Sequence, residues 1–287
     1  MKKIAALVLL AALAAFVYFR PLTVYFAARK AYLFAIGARG HDVQVGPHRM
    51  RYLVAGNGPP LVLVHGVAMR AEDWAPILRT FTKSHRVYAP DLLGYVGSDH
   101  SIRTQAEVVR GFLDAMQLQQ PDMLGVSMGG WITLKLAAEH PQRVRKLVLV
   151  SSAGFAFKTS LNELSFSARN LDELRASLAM QSDRARLLPT FVLRDFLRHS
   201  KMKAPLVRAS MRAALSGRDL MNRKLQRVTM PVLLVWGTSD RIVPFQLAAE
   251  MQKELPQAKL VALEGCGHLA IIECRRAATE ATAFLKR

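Results

Sequence analysis

From about residue 43 onward the chain alternates between short apolar runs and stretches in which apolar positions recur every three or four residues. "HDVQVG" and "MRYLVAG" alternate apolar and polar positions, the pattern of a hairpin, and the turn "GNGPP" follows. "LVLVHG" is apolar throughout, as expected of a strand covered on both faces. A helix is predicted around residues 71–81, then the strand "RVYAPD". Residues 104–118 carry helical spacing through Ala106, Val109, Leu113 and Met116. "PDMLG" reads as a buried strand, "WITLKLAAEH" as a helix with Ile132, Leu136 and Ala137 on one face, and "KLVLVSS" as the next strand. The alternation stops after residue 155. It resumes with "MPVLLVWG", a helix near 245–254, the strand "KLVALEG" and a final helix from about 272. Apolar β runs alternating with helices imply an α/β fold, a mostly parallel sheet with helices on both faces.

The segment 155–226 is helical in pattern, basic and rich in methionine, and too long to be a simple loop. It is expected to form a helical cap inserted into a core made of 41–154 and 227–287. Within it "LPTFVLRDFLRHS" crowds Phe191, Leu193, Phe196 and Leu197 among arginines. Two readings stand: these side chains are the cap's own core, or they form a lid that meets acyl chains.

Between "PDMLG" and its helix lies "LGVSMGGW", in which Gly125, Ser127 and Gly129 spell G-x-S-x-G. A strand that turns straight into a helix forces the residue at the bend into a strained conformation, and its neighbours must be nearly without side chains. The turn would expose the Ser127 hydroxyl beside the free N–H groups of a helix N-terminus. A serine becomes a nucleophile when a histidine, oriented by a carboxylate, takes its proton. Partners are expected at the C-terminal ends of other strands. "VLLVWGTSD" places Asp240 there, and "LVALEGCGH" places His268 in the loop after the next strand. Asp91, after "RVYAP", is the competing carboxylate, with a backbone-binding role in "DLLGYVGS" as the alternative. The other histidines fit no strand-end pattern, except His65 beside Gly66, which is expected to brace its loop. Two N–H donors for an oxyanion are expected from Met128 and Val67.

These motifs resemble the α/β-hydrolase superfamily from about residue 43 to the C-terminus, through "HGVAMRAEDW", "DLLGYVGSD", "GVSMGG", "WGTSDRIVP" and "GCGH". The resemblance implies an eight-stranded, mostly parallel sheet with an inserted helical cap. It also implies the chain order Ser127, Asp240, His268 for a catalytic triad, with Val67 and Met128 as oxyanion donors and no cofactor. The chain departs from the pattern at Gly-Val-Ala after "LVLVH", where relatives read Gly-Phe-Gly, and at Val96, where many carry glycine. Trp131, Phe191 and Phe196 are the substrate-binding candidates. A serine rather than an aspartate at the elbow argues against the alkyl-enzyme chemistry of dehalogenases and epoxide hydrolases.

Charge and the N-terminus change the picture. The net charge is +19, and it is concentrated: residues 1–52 carry +7 and residues 158–227 carry +9. Nucleic acid and an anionic membrane surface are the two partners for such charge, and the N-terminus points to the membrane. Residues 4–19 are sixteen uncharged, mostly apolar residues behind Lys2 and Lys3, marginal for a span of about 17–25. A cleavable signal peptide is the competing reading. Residues 1–20 are expected to be an anchor and 21–40 a juxtamembrane amphipathic helix, with aromatics around Arg29 and Lys30. Small residues Ala11, Ala12 and Ala15 permit pairing of two copies. The two cysteines, Cys266 and Cys274, are expected to be free thiols, and paired His/Cys spacing suited to a metal is absent.

With an N-terminal anchor and a cap, the chain resembles monoacylglycerol-lipase-like enzymes and bacterial anchored phospholipase A or lysophospholipase enzymes. That implies a serine hydrolase of glycerol-lipid acyl esters, anchored to a bacterial inner membrane with the periplasmic face favoured over the cytoplasm. The alternatives are a carbon–carbon bond hydrolase of small aromatic breakdown products and a catalytically silent binding protein.

Overall fold

The computed structural model describes residues 2–92, 99–182 and 187–286; Val96 and most of "DLLGYVGS" lie outside them. Eight strands form one sheet in the order β1-β2-β4-β3-β5-β6-β7-β8. They are β1 (Arg39–Val45), β2 (His48–Ala55), β3 (Pro60–Val64), β4 (Arg86–Pro90), β5 (Asp122–Val126), β6 (Leu147–Val150), β7 (Val232–Gly237) and β8 (Lys259–Leu263). The β1–β2 hairpin and the β2–β4 pair are antiparallel, and every other pairing is parallel.

Alternation along each strand explains the continuous apolar runs. Val62 and Val64 enter one core layer while Leu61 and Leu63 enter the layer behind the sheet. Leu147 and Leu149 face Val148 and Val150 in the same way. Each central strand is therefore buried on both faces, which a sheet sandwiched by helices requires.

The helices are α1 (Lys2–Phe19), α2 (Pro21–Ala35), α3 (Ala75–Thr82), α4 (Ile102–Ala115), α5 (Met128–Glu139), α6 (Leu171–Gln181), α7 (Thr190–Leu215), α8 (Gln246–Glu254), α9 (Ala270–Glu273) and α10 (Arg275–Lys286). Helices α6 and α7 lie in the insertion between β6 and β7, where the sequence pattern placed helices. Their contact is small: Ala168, Leu174 and Leu193, with Phe196 and Leu197 packed against them.

The N-terminal boundaries differ from expectation. Among the described residues no single helix is long and apolar enough to cross a membrane; α1 and α2 pass that test only as a pair, and they meet at 93°. Pro21 at the first position of α2 takes the bend without losing a needed N–H. Helix α1 exposes apolar side chains all around, from Ile4 and Leu7 to Phe16 and Phe19. Helix α2 is different. It ends at Ala35, β1 begins at Arg39, and Arg29 and Leu33 are buried. Leu33 joins the core layer of Trp74 and Phe81, and the N–H of Leu22 donates to Asp195 of α7 at 2.9 Å.

Candidate active site

The sheet changes direction of winding between β3 and β5, so the segments leaving those adjacent strands diverge and open a crevice at their C-terminal ends. Val64 pairs with Gly125. Val67 and Met128 each follow three residues later, which brings the two loops to the same crevice.

Ser127 sits between β5 and α5 with φ 54° and ψ −120°, a region that costs a non-glycine residue of order 1–3 kcal/mol. Its surroundings hold it there. The Ser127 N–H donates to Val150 O at 3.0 Å, and its carbonyl accepts from Trp131 and Ala153, both at 3.2 Å. A Cβ on Gly125 would lie 2.6 Å from Thr133 Oγ1, and one on Gly129 would lie 2.5 Å from His65 O. The two glycines are thus needed so that α5 can pack close to β3 and β5. As the first residue of α5, Met128 has an N–H without an intrahelical acceptor, and it lines the crevice with Val67 and Ser127.

The loop bearing Val67 is fixed from several sides. Buried His65 donates from Nδ1 to Gly66 O at 2.8 Å and accepts the Leu92 N–H at Nε2, 3.0 Å away. Burial pushes its pKa below the ordinary histidine value, so it stays neutral as this bonding requires. Asp91 accepts the Ala71 N–H at 2.6 Å and lies 3.9 Å from His65. Among the described residues, Asp91 thus braces the Val67 loop from behind, and His65 braces it as expected.

Asp240 and His268 meet beyond the C-terminal ends of β7 and β8. Asp240 lies three residues past Gly237, and its Oδ1 accepts the N–H groups of Ile242 and Val243, both at 2.9 Å. His268 Nδ1 is 2.9 Å from Asp240 Oδ2 and 3.1 Å from Oδ1. An acceptor-only carboxylate selects the tautomer with the proton on Nδ1, which leaves the Nε2 lone pair free to act as a base. Both side chains are buried.

The loop carrying His268 is held against the Asp240 turn. Ser239 donates to Cys266 O at 3.0 Å, and a Cβ on Gly237 would lie 2.5 Å from Gly267 O. Cys266 and Cys274 are joined by a disulfide, with Cα atoms 6.4 Å apart. The expectation of free thiols is therefore corrected. The loop and α9 fold back so that eight residues of chain bring the two sulfurs within bonding reach.

An apolar cavity of about 220 Å³ opens at Ser127. Trp131, a substrate-binding candidate, lines it, and its Nε1–H is taken by Asp219 O at 2.9 Å. Phe191 and Phe196 do not reach it. Phe191 stacks on Tyr18 of α1 with ring centroids 5.1 Å apart, and Phe196 packs in the small contact between α6 and α7. The aromatic pattern of α7 is spent on the N-terminal helices and its own neighbour. The cavity instead draws on Phe155 and Phe157, Leu161 and Phe166, and Met211 and Leu215. The run "AGFAF", two residues after β6, is the signal the sequence offers. Among the described residues no group of three His, Cys, Asp or Glu side chains could hold a metal ion.

Comparison with known proteins places the chain among relatives of the same fold. A membrane phospholipase A described as a bacterial virulence factor superposes with a TM-score of 0.81 at 29% identity, covering 100% of this chain and 98% of its own. The pimeloyl-[acyl-carrier protein] methyl ester esterase of Nitrosomonas europaea is 30% identical over 230 residues, 74% of this chain and 90% of the esterase. The 2-hydroxymuconate semialdehyde hydrolase of Pseudomonas sp. strain CF600 is 28% identical over 259 residues, 82% of this chain and 89% of that hydrolase. The model of the alpha/beta hydrolase fold matches residues 59–273. The chain belongs to the α/β-hydrolase family.

Proposed function

We propose that the protein is a membrane-associated serine ester hydrolase that cleaves acyl esters of glycerol lipids through an acyl-enzyme. In this reading His268 Nε2 takes the Ser127 proton as Oγ attacks the ester carbonyl. Asp240 holds the imidazole in its tautomer and stabilises the imidazolium. The N–H groups of Val67 and Met128 take the developing oxyanion. The proton passes to the leaving alcohol, and water, activated by the same histidine, releases the fatty acid.

The observation that carries the lipid assignment is the cavity beside Ser127. Apart from the hydroxyls of Ser127 and Thr159 its lining is aliphatic and aromatic, and no charged side chain contributes to it among the described residues. That surface suits an acyl chain, each buried methylene contributing about 0.8 kcal/mol. The exposed apolar α1 and the resemblance to a membrane phospholipase A support association with a membrane. The insertion carrying α6 and α7 then acts as a lid at the cavity mouth. The disulfide supports placing the catalytic domain on an oxidising, periplasmic side.

The second reading, a carbon–carbon bond hydrolase, is favoured by the relative acting on 2-hydroxymuconate semialdehyde and by a solved hydrolase of 2-hydroxy-6-oxo-6-phenylhexa-2,4-dienoate that is 26% identical. Such substrates carry a carboxylate, which is costly to bury without a cationic partner.

A fluorophosphonate probe followed by a substrate panel separates these readings. Wild type is expected to be labelled and Ser127→Ala not. Turnover of lysophospholipid, phospholipid or monoacylglycerol should exceed that of a short p-nitrophenyl ester, rising about fourfold per methylene until the cavity is filled. Cleavage of only water-soluble esters would end the lipid reading, and turnover of the phenyl-dienoate would replace it.

A further inference from the structure

The N-terminal helix α2 reaches the loop that carries Val67. Arg29 is buried to 8% exposure although it is a charged residue on a helix expected to lie at a lipid surface. Its guanidinium sits over the rings of Tyr25 and Phe26, 5.5 and 5.0 Å from their centroids, and Nη1 donates to Asp73 Oδ1. The other oxygen of the same carboxylate, Oδ2, accepts the Arg70 N–H at 2.9 Å. Arg70 closes the turn that contains Val67, in which Met69 donates to Gly66 O at 3.3 Å and Ala68 has φ +63°. A single carboxylate therefore joins α2 to the backbone three residues beyond an oxyanion donor.

We propose that Arg29 is a positioning residue for the oxyanion hole, acting through Asp73. The inference rests on the serine-hydrolase reading of the site but not on its lipid substrate. The loop is fixed on its sheet side by His65 and from behind by Asp91. The Arg70 end is fixed by Asp73, whose N–H also donates to Arg70 O at 3.0 Å, and Arg29 on Oδ1 holds the carboxylate with Oδ2 toward the Arg70 N–H. Arg29 makes that contact from a helix which, through the Arg20–Pro21 bend, is continuous with the exposed α1. The backbone geometry of the oxyanion hole is thereby tied to one charged contact made by α2, not to the packing of that helix as a whole.

The test is a double-mutant cycle on the full chain with a water-soluble p-nitrophenyl ester, so an error in the lipid assignment leaves it interpretable. Active sites are counted with a fluorophosphonate. Arg29→Met and Asp73→Asn are each expected to lower kcat per titrated site about tenfold, part of the 10²–10³ lost when an oxyanion donor is removed outright, with KM nearly unchanged. The double variant should be no worse than either single, because both remove the same link. Arg29→Lys should recover part of the rate. Leu33→Ala, which loosens α2 at its other end, is the control and should lower Tm while leaving kcat per site intact. Additive losses in the double variant, or an Arg29→Met protein that loses only Tm, would overturn the proposal.

Discussion

Removing the Cys266–Cys274 bridge should weaken both the fold and the placement of His268. The bridge closes a loop of sequence separation 8. By the chain-entropy relation, opening it frees about 2.5 kcal/mol of denatured-state entropy at 25 °C. Unfolding entropy of about 2.1 cal/mol/K per residue, over 287 residues, is roughly 0.6 kcal/mol/K. The expected shift in Tm is thus about 4 °C downward. Calorimetry of Cys266→Ser/Cys274→Ser, and of wild type with and without reductant, measures it.

The effect on turnover should be smaller than the loss of a catalytic group. The near half of the loop keeps its bonds: Cys266 donates to Leu263 O at 3.2 Å, Gly265 donates to Thr238 Oγ1 at 3.0 Å, and Ser239 donates to Cys266 O at 3.0 Å. His268 lies two residues beyond this anchored part. A drop in kcat of less than about tenfold is expected, since a misplacement of 1 Å costs on the order of 10²-fold and the remaining bonds forbid that much. Two titratable thiols in the untreated protein, or a Tm that reductant does not move, would refute the reasoning.

Three further outcomes are expected. Asp240→Asn should lower kcat by about 10⁴, because an amide no longer selects the Nδ1–H tautomer of His268; steady-state kinetics on a soluble ester reads this. His65 has a folded-state pKa below 6.5, so the unfolded chain binds its proton first as pH falls. Stability should therefore be full above about pH 7 and fall below it by up to roughly 1.4 kcal/mol per pH unit; denaturant titrations between pH 7 and 5 should show a shallower dependence in His65→Asn. Deleting residues 1–19 should release the protein from membranes and spare soluble-ester cleavage, whereas deleting 1–36 should also lower Tm and kcat per titrated site, since it removes Leu33 from the core, the Leu22–Asp195 bond and the Arg29–Asp73 pair.

Much of the candidate site could be read from the sequence because its residues lie at strand ends, and strand ends are marked by where apolar runs stop. Ser127 was flagged by glycines whose close approaches to β3 and α5 are now visible, and Asp240 and His268 by their distance past β7 and β8. Three features were hidden for physical reasons. The disulfide depends on a loop folding back until two Cα atoms stand 6.4 Å apart, which a spacing of eight does not dictate. The cavity lining is assembled from segments far apart in the chain, so no local periodicity records it. The role of Arg29 is hidden because an amphipathic helix with aromatics around a cation reads the same whether the cation meets phosphate or a carboxylate from its own fold.

The relatives sharpen where specificity must reside. An ester hydrolase at 30% identity and a hydrolase acting on a muconate semialdehyde at 28% stand about equally far from this chain, so overall similarity does not choose between the two chemistries. The proposed triad does not choose either, because an acyl-enzyme route needs only a serine, a base and an oxyanion hole. The difference has to arise where the rest of the substrate lies. An anionic dienoate needs a cation or several donors to offset its desolvation, while an acyl chain needs apolar surface and nothing polar. Ser127 and Thr159 supply the side-chain hydroxyls of a cavity otherwise built from phenylalanine, leucine, methionine, alanine and other apolar residues. Placing an arginine at Leu161 or Met211 should therefore penalise long acyl esters far more than short ones, since a short ester leaves that end of the cavity empty. A loss equal for both chain lengths would mean that the acyl chain lies elsewhere.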